Sequence, residues 1–316
     1  MRKMINTYHL EGQLYDQNLE VRTTGQNSKA PGTEYIRGDI SIATDSSRTN
    51  IIRVYYTYVV ASQGGGRTWN ALKDIIDGKR KTYMAAGDEG AFVRIDTQIA
   101  VNDFLPQGSS DIVSQVRNEG GFIHFIEPTA MTVVTKQNPF ARNKYTVDVV
   151  MTKATHVEAD EETKAPERLL IKAAAFNFRG EIVPMELTVT NPKAIEYFEA
   201  QDISSKNPFA TQVWGPEEAI TTIYREEKPN AFGDTEVIER QRSTRSFIVG
   251  GAIPDPYEWD SEDTITAAEF EKAIGNRNTM LAEVKEAAAQ RAKSATAGNT
   301  TAAARVANTP AGEYDF

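Results

Sequence analysis

The sequence predicts a mainly β fold, on three observations. Its first 250 or so residues fall into short runs rich in Val, Ile, Thr, Tyr and Phe, and glycine and polar turn residues punctuate those runs. Helix-forming composition is concentrated beyond Pro256.

Residues 35–44 and 51–60 are β-branched and aromatic and predict a hairpin. A short helix is expected over 68–76, where Thr68 can cap the run that starts at Trp69. Strand-like segments follow at 92–101 and 121–126, so this half reads strand, strand, helix, strand, strand. From Lys144 onward, strands at 145–151 and 169–178 flank a long charged loop, and Gly180 turns the chain into a third strand at 182–190. Pro192 then opens a helix at its favoured first position, and strands around 210–214 and 246–249 complete the series. Three strands, a helix and two strands is the order of an OB-fold, a small Greek-key barrel whose open face accepts oligonucleotides. The expected organisation is an N-terminal β-rich domain over 1–143, either a degenerate second OB-fold barrel or an elaboration of the same one, and an OB-fold domain over 144–254. An acidic connector and helix follow over 255–293, then a flexible linker and tip over 294–316. Thr266 with Glu269 three residues later forms a capping box for the last helix, and Gly275 is a candidate bend in it. Residues 294–312 are almost all Ala, Thr, Asn, Gly and Ser, too poor in apolar groups to offset the entropy of ordering.

Composition narrows the chemistry. The chain has 316 residues, 40% of them apolar, which is ample for a buried core. It has no cysteine, which removes disulfides, thiolate metal sites and cysteine nucleophiles and suits the cytoplasm. Only three histidines occur (His9, His124, His156), none with a partner at metal-ligand spacing, so no metal, cofactor or enzymatic activity is expected. No apolar run approaches the roughly 18–20 residues of a membrane span, so no membrane partner is expected either. The net charge of −9 argues at first against a nucleic-acid partner, but seven acidic residues lie between Asp255 and Glu271 with no basic one, leaving the remainder near neutral. That stretch does not have the spacing of a calcium loop and reads as a solvated acidic connector. The run Gly64-Gly-Gly-Arg67 lacks the Lys-Ser/Thr ending of a phosphate-binding loop and reads as a mobile loop bearing Arg67.

What remains is aromatic and basic side chains interleaved on strands. An exposed ring stacks on any nucleobase while Lys and Arg hold phosphates, which binds single strands without reading sequence. Tyr55, Tyr56 and Tyr58 beside Arg53 fit this pattern, and alternation puts Arg53 and Tyr55 on one face with Tyr56 and Tyr58 on the other. Lys172, Phe176 and Phe178 share a face, with Arg179 at the turn. Trp214 and the arginines Arg240, Arg242 and Arg245 complete the candidate set.

Residues 168–200, with the Phe178-Arg179-Gly180 turn and the Ile182-Val183-Pro184 strand, resemble the OB-folds of phage-encoded single-stranded DNA-binding proteins, a likeness that spans 144–250. The end of the chain, Glu313-Tyr314-Asp315-Phe316 after a linker, is similar to the tails of bacterial and phage members of that group, whose acidic tip ending in phenylalanine docks replication and repair proteins. The resemblance implies a non-catalytic protein that coats single-stranded DNA and recruits replication or recombination partners through Phe316 and Asp315. Two acidic residues in the tip favour recruitment over competition with DNA. The second reading is a structural virion or assembly protein built from β-domains. The sequence carries no signal for oligomeric state.

Overall fold

The computed structural model describes residues 4–26, 28–61, 66–106, 109–126, 142–160, 165–229, 235–262 and 264–306, with the backbone alone for 219–244 and 292–306. Among these are twelve strands, which form one connected sheet that wraps into two rings.

The first ring contains β1 (Asn6–Thr23), β2 (Glu34–Ala43), β3 (Ile51–Val59), β4 (Phe92–Phe104) and β5 (Val113–Ile126). β1 pairs antiparallel with β2, β2 with β3, and β4 with β5; β3 pairs parallel with β5, and β4 returns antiparallel to β1. That order, 1-2-3-5-4-1, is a complete OB-fold barrel. Helix α1 (Gly66–Ile76) lies between β3 and β4 and contributes Leu72 and Ile75 to the core. A short helix α2 (Tyr83–Ala86), capped by Thr82, leads into β4. The N-terminal half is thus a second copy rather than an elaboration. In this ring the strand absent from the sequence reading is β1.

The second ring repeats the order with β6 (Lys144–Val157), β7 (Arg168–Phe176), β8 (Ile182–Val189), β9 (Phe209–Gly215), β10 (Glu217–Pro229) and β11 (Thr235–Ile248). β8 pairs parallel with β11 and β9 pairs antiparallel with β6. β9 and β10 are one course of chain interrupted at Pro216, whose carbonyl accepts from Ile248 N at 2.9 Å. Helix α3 (Pro192–Glu199) sits between β8 and β9; Asn191 Oδ1 caps it by accepting from Lys193 N at 3.0 Å. β12 (Gly251–Ala252) adds to β9. β10 and β11 continue together as a two-stranded ribbon, since β11 meets β8 only at Phe247 and Ile248. In this second ring β10, β12 and most of β11 are absent from the sequence reading too.

The rings are joined where β1 pairs with β6, from Asn6 opposite Val147 to His9 opposite Lys144. Buried carboxylates sit at this junction, among them Glu11 and Glu217. Glu11 binds Arg142 at 2.7 Å and Arg94 at 3.1 Å. Burial alone would push its carboxyl up, but the two guanidiniums outweigh that and hold it below the usual range. Glu217 accepts from Asn118 Nδ2 at 3.0 Å, its backbone N donates to Tyr8 Oη at 3.2 Å, and its carbonyl accepts from Asn50 Nδ2. Here burial prevails and the carboxyl is raised, with Arg245, 3.6 Å away, opposing it.

Helix α4 (Ala267–Val306) closes the described chain. The predicted capping box is present: Glu269 N donates to Thr266 Oγ1 at 3.2 Å and Thr266 N donates to Glu269 Oε2 at 3.1 Å. The helix passes Gly275 unbroken and continues to Val306, so residues 294–306, expected as linker, are helical. Alanine is the strongest helix former, and its intrinsic preference prevails over the low apolar content of that stretch. The acidic segment before α4 keeps Asp255, Glu258, Asp260 and Glu262 exposed, as expected of a solvated connector, while apolar residues between them and in α4 dock on the barrel. Trp259, Ile265, Phe270 and Ala273 pack over Val150, Ala174, Phe176 and Ile182 on the outside of the second ring, and Arg277 then binds Asp103 of β4 at 2.8 Å. No helix among the described residues is long and apolar enough to cross a membrane.

Candidate nucleic-acid interface

The outer face of β1, β2 and β3 carries an open aromatic and basic surface. On β2 the side chains alternate: Ile36, Ile40 and Ile42 are buried, while Tyr35, Arg37 and Asp39 point outward. On β3, Ile52, Val54 and Tyr56 are buried, and Arg53, Tyr55 and Thr57 face out. A register shift between Ile36 and Gly38 inserts an extra residue into β3 and turns Tyr58 to the outside as well, where it is 50% exposed. Gly38 beside the bulge has a φ of 130°, and a Cβ there would lie 2.0 Å from Asn18 O of β1.

Two stacking stations result. Tyr58 packs against Tyr35 with ring centroids 4.8 Å apart and the planes tilted by 36°. About 10 Å along β3, at roughly 3.3 Å per residue, the Arg117 guanidinium lies 5.0 Å over the ring of Tyr55. Arg117 comes from β5, brought there by the parallel β3–β5 pairing in which Tyr55 is opposite Glu119. The cations of this face rest in ion pairs: Arg22 with Glu20 at 2.7 Å, Arg37 with Glu20 at 3.4 Å, and Arg53 with Asp39 at 3.3 Å. Burial raises the Asp39 carboxyl, Arg53 opposes this, and Asp16 adds to it. The two Glu20 pairs are exposed and worth about 0.2–1 kcal/mol, so a phosphate can displace that carboxylate, whereas Asp39 is largely buried beside Arg53.

The candidate residues divide sharply. Arg53, Tyr55 and Tyr58 are together on this face. Tyr56 is a correction: it is 2% exposed, its hydroxyl has no hydrogen-bond partner among the described residues, and burial pushes its phenol up. Phe176 is also corrected. Its face of β7 does point outward, but Phe270 of α4 covers it, with ring centroids 6.4 Å apart in an edge-on arrangement. Lys172 is exposed on β7 opposite Glu186. Phe178 is 73% exposed at the β7–β8 turn, and the Arg179 guanidinium lies 5.1 Å over its ring. Trp214 is half-buried in β9 against Gly251, where an added Cβ would meet the indole at 2.7 Å. Arg67 is exposed at the start of α1. Arg245 is exposed and engaged by Glu217. Arg240 and Arg242 stand opposite Tyr224 and Thr222 in the ribbon, and their side chains lie outside the described residues, as does the whole tip Glu313, Tyr314, Asp315 and Phe316. Lys172, Phe176, Phe178 and Arg245 therefore do not line one cleft.

Sequence reasoning missed Tyr35, Arg22, Arg37 and Arg117. Tyr35 and Arg37 alternate with Ile36, a signal present in the sequence; the position of Arg117 depends on a parallel pairing between distant strands, for which no local signal exists.

Fold and face together define a protein of OB-like closed rings that carries, among the described residues, an open aromatic and basic platform on the first ring. The chain belongs to the YorF family, whose model matches residues 5–287. No curated protein matches it. Among solved structures it is similar to the single-stranded DNA binding protein from Thermus aquaticus. A deletion variant of that protein aligns at 13% identity and a TM-score of 0.45, covering 83% of this chain and 100% of that one. The wild type aligns at 12% and 0.45, covering 81% and 95%. A replication protein A heterotrimer bound to ssDNA aligns at 10% and 0.21, covering 76% and 49%.

Proposed function

We propose that this protein binds single-stranded DNA with little sequence preference, by stacking and phosphate neutralisation and without bond making. The observation that carries this reading is the platform itself: Tyr35, Tyr55 and Tyr58 spaced along one outer face, with Arg22, Arg37, Arg53 and Arg117 interleaved. Every nucleobase has a π-face, so such a surface accepts any sequence, and Arg22 and Arg37 exchange the Glu20 carboxylate for phosphates. The cellular role that fits is coating of single strands during replication or recombination. On the sequence alone, the proposal extends to recruitment of partners by the tip residues Glu313–Phe316.

Anisotropy titration of labelled oligo-dT tests the reading. Binding should weaken steeply between about 50 and 200 mM salt as counterions are released, and duplex of the same length should bind more weakly. Absence of binding to oligo-dT at low salt overturns it.

A further inference from the structure

Beyond the platform, β5 leads to a second aromatic feature. After Glu119 the strand bulges at Gly120 (φ 68°) and Gly121 (φ 106°), where the register with β4 shifts between Asp96 and Gln98. Neither angle suits a side-chain-bearing residue, and a Cβ on Gly121 would lie 2.4 Å from Asp96 O. The bulge sets Phe122 on the outside of the barrel, 56% exposed, with Ile123 buried beneath. Phe122 then forms one wall of a cleft of about 690 Å³ between the two barrels. Its other aromatic wall is Phe178, the most exposed large apolar side chain among the described residues, which comes from the second barrel. Ile5, Thr7 and Gln98 also line it.

Two phenylalanines left in water each forgo roughly 1.5–3 kcal/mol of burial, and here both stand at one opening. A cation and a carboxylate stand near the opening. Arg179 rests over Phe178, and Asp96, which lines the cleft, has its carboxylate 2.6 Å from His9 Nδ1. The cleft is also close to the platform, since Phe122 is three residues from Glu119, the partner of Tyr55, or about 10 Å along the strand.

We infer that this cleft receives nucleobases of the same strand that the platform holds, stacked against Phe122 and Phe178. The bound strand thus runs from the first barrel along β5 into the gap between barrels. This inference rests on the platform reading. Thr7 and Gln98 offer polar contacts to base edges, and the rings accept any base.

The test compares short and long oligo-dT, about 8 and about 25 nucleotides, bracketing the site sizes of OB-folds, with wild type and the double variant F122A/F178A. Both side chains are exposed, so the variant should keep the wild-type thermal midpoint, which is measured first. Its affinity for the long oligonucleotide should fall by roughly fivefold or more while the short one binds as before. In a second arm, Phe122→Trp should retain affinity, and its added emission should be quenched by the long oligonucleotide. Equal losses on both lengths, or no loss on the long one, overturn the inference. If wild type binds neither length, the platform reading has failed; if wild type binds both and the double variant is indistinguishable from it, only the cleft is refuted. Should the added indole emission of the Phe122→Trp variant respond to apolar peptides and not to oligo-dT, the cleft is a peptide site and the inference falls.

Discussion

Replacing Tyr58 by alanine removes one half of the outer stacking station and leaves the barrel interior untouched. Tyr58 is 50% exposed, and among the described residues its aromatic neighbour is Tyr35, 4.8 Å away. Losing that contact costs about 0.5–1.5 kcal/mol of stability, small against the roughly 5–15 kcal/mol of a folded domain. A base stacked on an aromatic side chain is worth about 1–3 kcal/mol. At about 1.4 kcal/mol per tenfold, the Kd for oligo-dT should rise roughly 5- to 150-fold. The salt dependence should keep its slope, because no phosphate contact is lost. The informative control is Tyr56→Phe, two residues away and facing the opposite side. Tyr56 is fully packed with an unpartnered hydroxyl, so Phe should leave DNA affinity unchanged and stability equal or higher. Anisotropy titrations and thermal melts of both variants decide the matter. Tyr58→Ala binding within twofold of wild type, or an equal loss in Tyr56→Phe, refutes the assignment of faces.

Three further outcomes are expected. Glu217 has a folded pKa raised by burial, so its contribution is fully present below the unfolded value of about 4.5 and is lost as pH rises through the folded value. Glu217→Gln should therefore raise the melting midpoint near pH 8 and leave it unchanged near pH 4. His156 is raised above 6.5, first by its hydrogen bond to Glu199 at 2.7 Å, with Glu158 and Glu167 adding to it. Its pairing stabilises the fold below about pH 6.5 and fades as pH rises through the folded value; an NMR titration of its ring should move toward the ordinary value in Glu199→Gln. Gly121→Ala should lower stability by roughly 1–3 kcal/mol in urea unfolding, from its φ of 106° and the close approach to Asp96 O.

Much of the fold was legible because the strands of the second ring follow simple rules: apolar alternation, Gly180 at a turn, Asn191-Pro192 opening a helix. β1 was not legible, since Glu11 and Gln13 are polar yet 2% and 4% exposed. They are buried by the junction with β6 and by α2 and its flanking loop, partners that no local pattern announces. Without β1 the first half showed only four of its five strands and looked degenerate. The binding face was half legible. Alternation placed Arg53 and Tyr55 together correctly but grouped Tyr58 with Tyr56, because a one-residue bulge reverses every side chain beyond it. Phe176 was on the outward face, as alternation requires; what covers it is a helix almost a hundred residues further on.

That covering has a consequence for biosynthesis. Val150, Ala174, Phe176 and Ile182 have all left the ribosome some 90 residues before Ala273 does, which at elongation rates of about 5–20 residues per second is roughly 5–20 s. The ring of the second barrel can close only once Ile248 has emerged, and over the last 25 or so residues before Ala273 the closed barrel presents a bare apolar flank to the crowded cell. A chain truncated before Ile265 would keep that flank uncovered for good, and aggregation of such fragments during expression would reflect a missing cover rather than a barrel that failed to form.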